Sequence, residues 1–199
     1  MEPRSVGGGR GGWTLVELLV SIGVIGLLAA ILLPVAHVAR ENAARISCVN
    51  HLRQLGMAFR LYADQWGGFL PHEDDGEALP PFSCGWTRVL VPIVGNARVM
   101  ECPRAEPGTC SLKMNSLLEQ GDSFFFLLSS AGHPSETVLL FDGRVDNPGL
   151  RRLPKGTWES AFGRHRGRSN LLFLDGHVEG HEAGGGGVWA GPGPFRWRP

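Results

Sequence analysis

The residues able to do chemistry in this 199-residue chain fall in three places. Glu17 stands at the head of a long apolar run, His165 is followed after nine residues by Asp175-Gly176, and Cys48, Cys84, Cys102 and Cys110 are spread through the middle. A carboxylate in a membrane span costs about 2.5–3.5 kcal/mol at the centre and less toward an interface, so Glu17 calls for a partner such as an amine. His165 and Asp175 are of the types that make an acid/base or ligand pair. Asp142, Asp146, His177, Glu179 and His181 could add oxygen or nitrogen ligands. There is no nucleophile motif, no His-Glu-x-x-His and no phosphate loop, so the chain is not expected to be an enzyme. The plainer reading makes Asp175-Gly176 a turn and His165 a hydrogen-bonding residue on the adjoining strand. The cysteines lack the paired short spacings of zinc sites, and no metal is expected; as disulfide partners they allow three full pairings, which the residues leave open, beside the reading of each as a small buried hydrophobe.

The elements that must position these residues begin with the apolar run. From Leu18 to Ala36 no side chain carries a formal charge, a length that as helix covers roughly the 30 Å hydrocarbon core. Gly23, Gly26, Ala29 and Ala30 are small residues suited to close helix approach, though such residues are common in membrane helices generally. Pro34 is expected to kink the helix. Beyond it Cys48, Leu52, Leu55, Phe59 and Tyr62 recur at helical steps and share one face, while Arg45, Arg53 and Arg60 fall to the side or away. The helix should run to about Gln65, where Trp66-Gly67-Gly68 and Pro71 stop it.

After the helix the chain reads as a small globular part. Residues 70–81 form a loop, Trp86 to Val94 a short helix or strand, and Val99 to Pro103 a short extended piece. Strands are expected within Ser123 to Ser129, at Thr137 to Phe141, and at Asn170 to Leu174 with His177 to Glu179, the last pair a hairpin on a two-residue type I′ turn at Asp175-Gly176. Ala183 to Pro199, dense in glycine and proline, reads as a flexible tail. The fold class is therefore α+β, a long N-terminal helix packed on a small antiparallel sheet. Nineteen basic and nineteen acidic side chains balance, and nothing suggests nucleic acid.

The segment Gly12-Trp13-Thr14-Leu15-Val16-Glu17-Leu18-Leu19-Val20 closely resembles the cleavage and methylation site of type IV prepilins and type II secretion pseudopilins. The resemblance implies cleavage after Gly12 by a membrane prepilin peptidase, N-methylation of Trp13, and Glu17 as the glutamate that pairs with a neighbouring subunit's amine. Trp13 departs from the usual phenylalanine. An ordinary signal peptide fits less well, because Ala36-His37-Val38-Ala39 puts His37 where a small residue belongs. His165, Asp175 and Gly176, with Cys48 to Gly56, Cys102-Pro103 and Ser111 to Asn115, look like the prepilin-type processing-associated H-X9-DG domain family. Some pseudopilins bind calcium, so a site at Asp142 or Asp175 is open by that analogy alone; otherwise no cofactor is implied. Cys48 and Cys102 lie within the family-like segments, which singles out a disulfide between them, worth about 4 kcal/mol in the chain-entropy account, with both thiols buried and unpaired as the alternative.

The resemblance divides the chain into a leader (1–12), a transmembrane half-helix (13–36), an amphipathic half-helix (37–66), an α+β domain (67–182) and a tail (183–199). It implies a filament subunit of a type IV pilus or secretion pseudopilus, first held single-pass in the inner membrane with its domain outside the cytoplasm. The partners are the peptidase, the assembly machinery, copies of itself and other pilin-like subunits. The competing expectation is a membrane-anchored extracytoplasmic ligand-binding protein or enzyme using the His165/Asp175 region.

Overall fold

A computed structural model of the chain describes residues 13–72, 86–109, 111–118, 126–145, 155–184, 187, 189 and 191–198. The chain divides into two compact units, Met1–Arg40 and Glu41–Pro199. One helix, α1 (Leu15–Gln65), carries residues of both, with Pro34 inside it. It is long and apolar enough to cross a membrane by length and composition.

In the first unit, α1 starts on a reciprocal cap. The Thr14 N–H and hydroxyl both donate to Glu17 Oε2, at 2.9 and 2.8 Å, and the Glu17 N–H donates to Thr14 Oγ1 at 3.2 Å. This is the Thr-x-x-Glu capping box, which satisfies helix N–H groups that otherwise lack partners. Glu17 thus has a partner within its own chain. Apart from half-buried Ala29, the apolar side chains that follow are exposed from Leu15 to Val35. A Cβ built on Gly23 or Gly26 would meet nothing within 4 Å.

In the second unit the expected face of α1 is buried at Cys48, Leu52, Leu55 and Phe59, with Tyr62 partly buried. The helix ends at Gly67 and Gly68, both in the left-handed region, where the Gly68 N–H reaches back to the Ala63 carbonyl. A second helix, α2 (Thr87–Val94), follows and is closed by left-handed Gly95. Val99 and Met100, the start of the piece expected to be extended, instead belong to a 3-10 turn, Ala97–Met100, which the Asn96 side chain caps by accepting from the Arg98 N–H.

Among the described residues the sheet has five strands: β1 (Leu112–Asn115), β2 (Val138–Asp142), β3 (Lys155–Gly156), β4 (Arg168–Phe173) and β5 (Val178–Glu182), in the spatial order β3-β1-β2-β4-β5. All neighbours are antiparallel except β1 and β3. The architecture is α+β, with the part of α1 that belongs to the second unit against the sheet. The strand expected within Ser123 to Ser129 lies partly outside the described residues; its described part makes one bridge, Phe69 with Leu127, and then a 3-10 turn at Leu128–Ser130.

Both faces of the sheet are covered. Leu140, Leu172 and Leu174 join the core against α1, whereas Val138, Phe141, Leu171 and Phe173 join a second core with Trp189 and Trp197. The described residues of the C-terminal stretch are therefore docked on the sheet and do not form the loose tail expected. Trp189 is 6% and Trp197 4% exposed. The Val138 N–H donates to the Arg196 carbonyl at 3.0 Å, and the Asn115 side chain donates to the Trp197 carbonyl at 2.9 Å. The aromatic anchors outweigh the glycine and proline that pointed to a loose tail, since each large ring removes 150–250 Å² from water.

Candidate metal centre

Four buried side chains from four parts of the fold converge behind the helix. Cys48 belongs to the core face of α1, Cys102 follows the Ala97–Met100 turn, Asp142 ends β2, and His165 precedes β4. Their donor atoms all lie within 4.8 Å of one another. The Cys102 sulfur is 3.1 Å from His165 Nε2, the Cys48 thiol donates to Asp142 Oδ1 at 3.5 Å, and His165 Nε2 is 3.8 Å from Asp142 Oδ2.

Local structure fixes each one. Cys48 is placed by the same helical spacing that buries Leu52 and Leu55. The segment carrying Cys102 is held to α1 by an Arg104–Glu41 ion pair at 2.6 Å and by His51, whose Nδ1 lies 3.1 Å from the Glu101 carbonyl. The Cys102 N–H also donates to Ser111 Oγ at 2.9 Å. Asp142 continues the sheet, and its Oδ2 accepts from both the backbone N–H and the side-chain amide of Asn170, each at 2.9 Å.

His165 is set by a tight hairpin with Arg168, the two backbones exchanging hydrogen bonds at 3.1 Å. Its two loop residues, Arg166 and Gly167, both have positive φ (56° and 81°), the signature of a type I′ turn. The turn expected at Asp175-Gly176 is different. Leu172 pairs with Val178, and the Phe173 N–H donates to the His177 carbonyl, leaving the three residues Leu174 to Gly176 as the loop. Only Gly176, at φ 94°, is left-handed there, which suits a three-residue turn closed by a bulge glycine.

His165 and Asp175 therefore stand at opposite ends of β4 and do not form a pair. Asp175 is tied instead to His177, through that residue's N–H at 3.0 Å and its ring Nδ1 at 2.6 Å. The Asp175 carbonyl accepts from Arg60 on α1. A Cβ on Gly56 would lie 3.0 Å from the Leu172 side chain and 3.8 Å from the Gly176 Cα, so the turn sits close against the helix. One end of the motif seats the hairpin on α1 while the other delivers a histidine to the buried cluster.

The electrostatics of the cluster are unusual for a core. Burial pushes the Asp142 carboxyl up to about 6, with Cys102 adding to the shift and His165 and Arg164 opposing it. The hydrogen bond from Cys48, followed by His165, draws Cys102 below the usual thiol range against the effect of burial. Cys48 is held above that range by the same bond and by burial. Burial acts to lower His165, and the hydrogen bond with Cys102 and the charge of Asp142 outweigh it, so the net direction is up. His165 Nδ1 has no hydrogen-bond partner among the described residues.

Cys48 and Cys102 are buried free thiols in the structure, the alternative to a disulfide between them. Cys84 and Cys110 lie outside the described residues, as do Gly12 and Asp146. Trp13 is 78% exposed. Among the described residues the oxygen cage that calcium needs is not built at Asp142, whose neighbours are two sulfurs and an imidazole, nor at Asp175, which is engaged by His177. Two sulfurs, one nitrogen and one oxygen instead match the donors of a borderline-soft divalent ion. Each of the four had been singled out in the sequence, but long separations hid their convergence.

No family model matches the chain, and neither a curated protein nor a solved structure does. The architecture is nonetheless pilin-like, a long apolar N-terminal helix followed by a small mixed sheet.

Proposed function

We propose that the chain is a structural subunit of a type IV pilus-like or type II secretion pseudopilus filament, cleaved after Gly12 by a prepilin peptidase. The observation that carries this reading is an apolar helical segment left uncovered by its own chain: none of the apolar window of α1 is buried. Such a surface needs lipid before assembly and neighbouring helices after it, and a filament core supplies the second. Contacts of this kind, made head to tail and not closing on themselves, generate open helical polymers.

Glu17 then has two successive roles. In the isolated chain its carboxylate caps the helix through Thr14. In the filament, the free amine of a neighbouring Trp13, exposed by cleavage, offers the carboxylate a charged partner and sets axial register. The subunit performs no chemistry. The competing enzyme reading loses its principal pair, because β4 separates His165 from Asp175.

Substitution Glu17→Ala tests the proposal. Membrane insertion should remain while assembled, shearable material is lost. Filaments recovered at wild-type yield from the variant would contradict the assignment.

A further inference from the structure

We propose that Cys48, Cys102, Asp142 and His165 bind one divalent transition-metal ion, with zinc the best fit, in a closed structural site that clamps α1 to the sheet. The inference stands on the second unit alone and does not depend on the filament reading.

Geometry comes first. Zinc bonds of about 2.3 Å to sulfur and about 2.0–2.2 Å to nitrogen or oxygen, at tetrahedral angles, place neighbouring donors about 3.4–3.8 Å apart. The closest contacts here, 3.1 Å between Cys102 Sγ and His165 Nε2 and 3.5 Å between Cys48 Sγ and Asp142 Oδ1, lie within a few tenths of an ångström of that range, and the outer limit of 4.8 Å requires only side-chain closure of about an ångström. The chemistry of the donors comes second. Calcium and magnesium take oxygen ligands, whereas thiolate and imidazole together select zinc and its neighbours. With four protein donors, all buried, no coordination position is left for water or substrate, so the site is structural rather than catalytic.

The surroundings are built to match. Asn170 holds Asp142 Oδ2 with two donors and leaves Oδ1 turned toward Cys48, the orientation a monodentate ligand needs. His165 presents Nε2 to the cluster, so a bound ion would leave its proton on Nδ1, which has no hydrogen-bond partner among the described residues. On binding, the Cys48 and Cys102 thiols each release any proton they carry to solvent. Two thiolates and a carboxylate against a dication leave one negative charge. The Arg164 guanidinium acts on both Asp142 and His165 and opposes that charge. A cleft of about 630 Å³, lined by Ser47, His51, Glu101, Cys102 and Pro103, supplies an access route.

The test uses the full chain, purified in detergent without a metal-affinity step. Elemental analysis should find about one zinc per chain and no stoichiometric calcium. X-ray absorption should give two sulfur neighbours at about 2.3 Å and two lighter ones at about 2.0–2.2 Å. The double variant C48S/C102S should lose zinc at least tenfold, and Asn170→Ala should weaken it about 10–100-fold.

Should those variants not fold, the wild-type chain still decides the matter. Chelation should open both thiols to alkylation, added Zn²⁺ should close them again where Ca²⁺ does not, and Co²⁺ should bring a thiolate charge-transfer band. A metal-free chain with Cys48 joined to Cys102, alkylation indifferent to Zn²⁺, or full zinc retention in the folded double variant would overturn the proposal.

Discussion

Replacing Phe59 by alanine probes the joint between α1 and the rest of the second unit. The ring is 1% exposed, and its centroid lies 5.8 Å from that of Trp86 at an interplanar angle of 37°. Truncating a fully buried phenylalanine costs about 3–5 kcal/mol through lost transfer energy and the cavity left behind. The ring contact with Trp86 places the expectation in the upper half of that range, since such pairs carry about 0.5–1.5 kcal/mol beyond area burial. A loss of about 4 kcal/mol is a large share of the 5–15 kcal/mol that typical domains possess, and for a domain of this size lowers Tm by about 8–16 °C. Thermal melts of the full chain in detergent, followed by tryptophan fluorescence, provide the measurement. Met57→Ala is the control: it lies on the same helix but is 60% exposed, and should shift stability by less than about 0.5 kcal/mol. Equal shifts for the two variants would refute the assignment of the buried face.

Trp197→Ala should destabilise the second unit by about 3–5 kcal/mol and open the C-terminal stretch to proteolysis, because its ring packs edge-on against Phe141 at 5.0 Å; resistance to protease equal to wild type would show that the docking is unimportant. Lys113 is fully buried in β1, and burial, reinforced by Arg164, brings its amine down from 10.5 to about 8. Between those values the unfolded chain holds a proton that the native one has released, so stability should rise with pH across this window. Melting curves from pH 7 to 10 should show that rise in the wild type and lose it in Lys113→Met; parallel curves would contradict the shift.

The helix and its buried face were legible because helical periodicity is local, and Cys48, Leu52, Leu55 and Phe59 carry it unaided. β2, β4 and β5 were legible for the same reason, as short apolar or alternating runs bounded by turn residues. The docked C-terminal stretch was missed although a signal for it existed. Leu171 to Leu174 and Val138 to Phe141 are apolar without alternation, which means strands covered on both faces, and the helix could cover only one. The type I′ turn was misplaced because Asp-Gly suits several turns, and the register that chose among them depends on the pairing of Leu172 with Val178. Thr14 with Glu17 was a readable capping box, overshadowed by the membrane argument for the same glutamate. The buried cluster was the least legible feature. Its four ligands come from α1, a turn and two ends of strands, and only tertiary packing brings them within reach.

The central claim, that this chain is processed and assembled as a pilin-like subunit, is tested most directly by the intact mass of the mature protein recovered from membranes and sheared filaments. The account predicts a chain beginning at Trp13, heavier by one N-methyl group than cleavage alone would leave. A mature protein that still begins at Met1, or one cut beyond Ala36 and so lacking the apolar half of α1, would contradict it.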